Sequence, residues 1–173
     1  SQAERCKEIL QKLSQSPLKL KDNFLEKVKI TDLIKINFDK FNKNKNLNII
    51  ENFENKEPKI IFKDEIMYAL GNIIQNAILY SKKTVSVELQ YLKNNISIKI
   101  IDDGNGFPKD IIDKLGEPYI SKNNEGMGLG IFIAKNLIEN MGGEINFYNS
   151  KQNKAVVEIN FDNSILMIWL KNY

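Results

Sequence analysis

The chain has 173 residues, 42% hydrophobic and 27% charged, enough for one domain with a sizeable core plus an appendage. Its net charge of +3 comes from lysines scattered among acids, with no basic block, which argues against nucleic acid as a partner. One cysteine, Cys6, excludes an intrachain disulfide framework; no apolar run is long enough for a membrane span, and there is no histidine.

Taken in order, residues 1–14 place Cys6, Ile9, Leu10 and Leu13 on one helical stripe. This fits the tail of a helical hairpin or a surface helix packed on its own domain, until Ser16-Pro17 interrupts the pattern. Residues 29–41 predict a second amphipathic helix carrying Leu33, Ile34, Ile36 and Phe38, with Thr31 and Asp32 as candidate caps. A polar loop over 42–47 leads to two short strands, 48–53 and 59–62, around a turn containing Pro58.

Residues 64–81 predict a helix with Asp64 as N-cap and Glu65 at the positive end of the dipole. Ile66, Ala69, Leu70, Ile73 and Ala77 form its core stripe, while Tyr68, Asn72, Asn76 and Tyr80 form a second stripe four residues apart. The asparagine pair is either solvated or, if buried, in need of partners. A hairpin follows: Val85, Val87, Leu89 and Tyr91 alternate, Lys93-Asn94-Asn95 turns, and Ile96, Ile98 and Ile100 alternate in return. Counting on by two from Ile100 aims Asp102 at the core, costly for a carboxylate unless something binds it, and leaves Asp103 for turn chemistry.

Residues 108–115 fit a short helix closed by Gly116, and 117–125 a polar loop with Tyr119 and Lys122. Residues 128–141 predict a helix with Leu129, Phe132, Ile133 and Leu137 on one stripe, stopped by Gly142-Gly143. Strands over 144–149 and 155–161 complete an α+β, two-layer α/β sandwich: a mixed, mainly antiparallel sheet with helices on one face. Within it, Asp102-Asp103-Gly104-Asn105-Gly106 after a strand and Gly126-Met127-Gly128-Leu129-Gly130 opening a helix suggest a phosphate-bearing ligand under a cover. Either glycine turn alone would equally suit a plain hairpin or bulge.

In this order and spacing, Asn72-x-x-x-Asn76-Ala77, Asp102-x-Gly104-x-Gly106 and Gly126-x-Gly128-x-Gly130 resemble the N, G1 and G2 boxes of the GHKL (Bergerat) ATP-binding fold. More narrowly, they resemble the catalytic domain of bacterial two-component sensor histidine kinases. Residues 116–122 are similar to that family's short lid, with Tyr119 where phenylalanine is usual, and the likeness covers residues 48–161. The first residues and the lid look most like the RegB/PrrB redox-responsive kinases, in which a cysteine of this region senses redox state; Cys6 could act so, or be an inert buried thiol.

The resemblance implies ATP and Mg²⁺ as cofactors. Asp102 would accept a hydrogen bond from the adenine amino group, Gly106 would let the backbone pass the base, and Tyr80 would pack near it. Asn76 would be the Mg²⁺ ligand, supported by Asn72, while Gly126, Gly128 and Gly130 would lead into the helix facing the phosphates. Lys122 would bring a cation to the γ-phosphate, and Gly104, Tyr119 and Leu129 complete the nucleotide-binding set. Hydrolytic members carry a glutamate four residues before the metal asparagine; Asn72 stands there and is a poor base, which favours phosphoryl transfer to a histidine.

That histidine is not in this chain. The resemblance therefore implies that residues 1–15 end a truncated dimerisation hairpin, 16–162 form the ATP-binding domain, and 163–173 are a tail of unknown role. It implies a homodimer in the full-length protein, a response regulator downstream, and a cytoplasmic domain with an upstream sensor in the inner membrane. A different class of reading is a nucleotide-gated binding module that holds ATP without transfer. Leu79 departs from the basic residue usual after the metal asparagine, which would move a phosphate contact to Lys82 or Lys83.

Overall fold

The computed structural model describes residues 27–42, 44–53, 57, 59–92, 95–118 and 129–162. The expected stub with Cys6, its boundary with the next domain and the tail 163–173 lie outside the described residues. In chain order come β1 (Lys27–Lys29), α1 (Ile30–Phe41), β2 (Asn46–Phe53), β3 (Lys59–Ile61), α2 (Asp64–Tyr80), β4 (Thr84–Leu92), β5 (Asn95–Asp102), a 3-10 turn (Ile112–Lys114), α3 (Leu129–Asn140), β6 (Glu144–Asn149) and β7 (Ala155–Asp162).

Strand alternation decides the layers. Val85, Val87 and Leu89 on β4, Ile96, Ile98 and Ile100 on β5, and Val157, Ile159 and Phe161 on β7 are all buried. Glu88, Lys99 and Glu158 share the other face, where Lys99 and Glu158 form an ion pair at 3.6 Å. The five-stranded sheet runs β2-β4-β5-β7-β6, with β2 parallel to β4 and the other pairs antiparallel. The helices close the inner face through Leu33, Ile34 and Phe38 of α1, Ile66, Leu70, Ile73 and Ile74 of α2, and Ala134 and Ile138 of α3. The mixed two-layer sandwich expected from the sequence is thus the observed fold.

Fully burying an isoleucine or leucine contributes roughly 1.5–3 kcal/mol, against about 1 kcal/mol or less separating residues other than proline in helix propensity. Burial therefore holds α2 helical although it carries Gly71 and two asparagines in its interior.

Four local expectations are corrected. Segments 48–53 and 59–62 do not pair around their turn: β2 lies parallel to β4, and β3 pairs antiparallel with β1. Thr31 and Asp32 do not cap α1; Lys29 is at the N-cap, and the Glu57 carboxylate accepts from Thr31 N (2.9 Å) and Thr31 Oγ1 (2.7 Å). A negative group from 26 residues away thereby satisfies a free helix N–H and opposes the dipole. Asp64 is the first residue of α2 and Lys63 its N-cap, so Asp64 and Glu65 act through charge. On α3 the fully buried positions are Ala134 and Ile138; Leu129, Phe132, Ile133 and Leu137 are half-buried. The helix is apolar on nearly every side, so more than one stripe fits its sequence.

Candidate nucleotide site

The end of β5 carries the most unusual charge among the described residues. Asp102 is 6% exposed, and no other residue with an ionisable side chain is buried among them. Parity accounts for its aim, because Val85, its partner on β4, also faces the core. Its Oδ1 accepts the Gly104 amide at 2.9 Å. Burial pushes the carboxyl up to about 6, against the Gly104 hydrogen bond that lowers it and with Asp103 adding repulsion. A strongly perturbed carboxylate at a strand end is a candidate ligand-binding group.

Asp103 turns the other way and does the expected turn chemistry. It accepts from the backbone amides of Lys82 (2.7 Å), Lys83 (3.0 Å) and Thr84 (3.0 Å), which outweigh partial burial and hold its carboxyl below the usual range. The same connection is held from the opposite side by Lys45, whose ammonium donates to Ser81 O (2.7 Å) and Lys82 O (2.9 Å). Since α2 has no basic residue in its last turn, Lys45 supplies the positive charge that its C-terminus favours.

Beyond Asp102 the chain passes against the end of α2. A Cβ on Gly104 would lie 2.3 Å from Tyr80 O and 2.7 Å from Asp102 Oδ1, so only glycine allows this approach. Gly106 has φ +77°, and a Cβ there would lie 2.6 Å from Asn153 O. Asn149 Oδ1 accepts from Phe107 N at 2.7 Å and Asn149 Nδ2 donates to Phe107 O at 2.9 Å, while Asn153 Nδ2 donates to Asn105 O at 2.9 Å. Phe107 also meets Phe147 edge to face, with ring centroids 6.3 Å apart.

The second half of the candidate site is the polar stripe of α2. Tyr68, Asn72 and Asn76 are half-buried there and Tyr80 is 45% exposed. Asn72 Nδ2 donates to Tyr68 O at 3.0 Å, and its Oδ1 has no hydrogen-bond partner among the described residues; a Cβ on Gly130 would lie 3.4 Å from that oxygen. The first turn of α3 thus sits directly over Asn72. The Asn76 side chain has no hydrogen-bond partner among the described residues. Its amide oxygen is a hard donor of the kind Mg²⁺ accepts, so its chemistry fits such an ion.

The structure therefore brings Asp102, Gly104 and Tyr80 together at the end of β5, and Asn72 and Gly130 together at the start of α3, with Asn76 and Leu129 on the same two helices. Tyr119, Lys122, Gly126 and Gly128 lie outside the described residues. Lys45, Asn149 and Asn153 were not singled out by sequence reasoning. Their only signal is their type: an asparagine is apt to bind a nearby backbone.

Residues 63–165, more than half of the chain, match the model of the histidine kinase-, DNA gyrase B-, and HSP90-like ATPase family. The sensor histidine kinase RegB of Cereibacter sphaeroides is 36% identical over 108 residues, covering 56% of this chain and 23% of that protein. A putative NtrY-like sensor histidine kinase of Rickettsia felis is 29% identical over 124 residues, covering 68% of this chain and 21% of its own length. The chain thus spans under a quarter of these curated relatives. Among solved structures, the mycobacterial sensor histidine kinase MprB superposes with a TM-score of 0.67 at 19% identity, over 80% of this chain and 97% of that one. The likeness to RegB agrees with the resemblance in the sequence, and the superposition agrees with the sandwich. The chain belongs to the histidine kinase-, DNA gyrase B-, and HSP90-like ATPase family and carries its ATP-binding domain.

Proposed function

We propose that this domain binds ATP with Mg²⁺ and passes the γ-phosphate to a histidine on a dimerisation hairpin, as the catalytic part of a two-component sensor kinase. The observation that carries the reading is that one fold holds both a buried carboxylate, Asp102, at the end of β5 and an amide rather than a carboxylate, Asn72, one turn before Asn76 on α2. The ionised Asp102 carboxylate accepts the adenine amino group through the oxygen not engaged by Gly104, and Tyr80 covers the base. Asn76 holds Mg²⁺, whose charge offsets that of the phosphates, and Asn72 Oδ1 orients the same end of the nucleotide. The amides at the start of α3, reached through Gly126 and Gly128, would face the phosphates, and Lys122 and Tyr119 would belong to the cover.

Neither asparagine can deprotonate water at neutral pH. ATP is therefore kept for a positioned nucleophile, and the catalytic contribution is alignment and charge stabilisation. The partners in this reading are the histidine-bearing hairpin, a second copy of the full-length protein and a response regulator.

The test mixes the 173-residue chain, Mg²⁺ and γ-labelled ATP with a separate hairpin supplying the histidine, beside an Asn76→Ala control. Acid-labile, alkali-stable label on the hairpin, lost in the control, is the expected result. ATP binding without label would assign the domain to nucleotide-gated binding instead. Absence of ATP binding would overturn the whole reading.

A further inference from the structure

The hairpin joining β6 to β7 touches the candidate site, yet none of its residues has a role in the proposal above. Asn149 pairs both polar atoms of its amide with the backbone N–H and C=O of Phe107, as a neighbouring strand would. Asn153 holds the carbonyl of Asn105. Gly106, between them, is packed so closely that a Cβ would lie 2.9 Å from Asn149 Oδ1 and 2.6 Å from Asn153 O. The hairpin is itself rigid: Ser150 N donates to Lys154 O (2.8 Å), Asn153 N to Ser150 O (2.8 Å) and Lys154 N to Ser150 Oγ (3.1 Å). Asn153 takes φ +57° to close it, a conformation asparagine tolerates better than most residues.

We propose that Asn149 and Asn153 are positioning residues for base recognition, holding the loop from Gly104 to Phe107 in the shape that receives adenine beside Asp102. The inference rests on the nucleotide reading and adds to it the element that sets the shape of the base-binding end. Past Asp103, whose amide still donates to Thr84 O, the loop has left the sheet ladder, so these side chains replace strand hydrogen bonds for its backbone. Without them, residues 105–107 would be ordered by the ligand, and that entropic loss would appear as weaker binding. The phosphate end, on α2 and α3, makes none of these contacts.

This separation gives a selective readout. The 173-residue chain is titrated with Mg²⁺-ATP and with Mg²⁺-tripolyphosphate, which has the phosphates but no base. Asn149→Ala is expected to weaken ATP roughly tenfold while leaving tripolyphosphate unchanged, given ordering losses of this order for a short loop. Asn153→Gly, which removes the hydrogen bond to Asn105 O while still accommodating φ +57°, is expected to do the same to a smaller extent and stands in if the first variant fails to fold. Gly71→Ala, in the core between α1 and α2, serves as a variant that lowers stability without touching the loop. Unchanged ATP affinity in both asparagine variants, equal loss of both ligands, or the same ATP loss in Gly71→Ala would overturn the inference. If the wild-type chain binds neither ligand, the nucleotide reading itself fails and takes this inference with it.

Discussion

On the sheet side of the proposed site, from Asp102 to Phe107, the backbone is tied down within the protein and Asp102 keeps one carboxylate oxygen beyond its bond to Gly104. Asp102 holds Gly104, Asp103 holds three amides, and Asn149 and Asn153 hold the loop beyond. On the helix side, neither Asn72 Oδ1 nor the Asn76 side chain has a hydrogen-bond partner among the described residues. The first half is a shaped template whose selectivity comes from rigidity. The second leaves its oxygens for a ligand, as suits binding to an ion that brings much of its own coordination shell. Damage to the first half should therefore cost fold and binding together, whereas damage to the second should cost binding alone.

The sharpest way to break the template is Gly104→Ala. The new methyl meets a backbone carbonyl that cannot move independently, so a loss of about 3 kcal/mol in denaturant unfolding is expected, together with ATP binding in titration. Next comes Asp102. With a carboxyl raised from 3.8 to about 6, folding disfavours its ionised form. Stability without ligand is then greatest below the unfolded value and falls as pH rises through about 6, by on the order of 3 kcal/mol. Asp102→Asn should flatten that slope in unfolding measured across the window. ATP affinity should run the opposite way, weakening as pH drops through about 6, because the ionised carboxylate is the acceptor.

Gly71→Ala tests packing away from the template. Its Cβ would lie 2.7 Å from Asn37 Oδ1, and Asn37 is itself held by Leu33 O (3.0 Å) and Met67 O (3.3 Å). Overpacking of roughly 2 kcal/mol is offset by about 1 kcal/mol of helix propensity, leaving a net loss near ~1 kcal/mol in thermal or denaturant unfolding. The smallest stability change has the opposite sign. Asn76→Ala removes no hydrogen bond among the described residues and improves a helix position, so a gain of about 0.5 kcal/mol is expected while Mg²⁺-ATP-dependent transfer is lost. A clear loss of stability there would show that Asn76 belongs with the template.

The same division explains what could be read from sequence. Asp102 was legible because strand parity is a local rule, and the α2 stripe because helical spacing is another. The Glu57 cap, the Asn149 clamp and the parallel pairing of β2 with β4 were not, since each joins residues 26 or more apart in the chain. The buried face of α3 failed for a different reason: apolar residues surround it, and only the packed sheet and α2 decide which of them turns inward.

The long reach of the Asn149 clamp has a kinetic consequence. The β4–β5 hairpin needs only a short turn, so its pairing can form early. The loop beside Asp102 takes its final shape only after α3, β6 and the following turn exist, because its partners lie 42 and 48 residues downstream. A refolding chain should therefore form its β4–β5 hairpin before the proposed base-binding loop is shaped, and nucleotide binding should report a late step of folding.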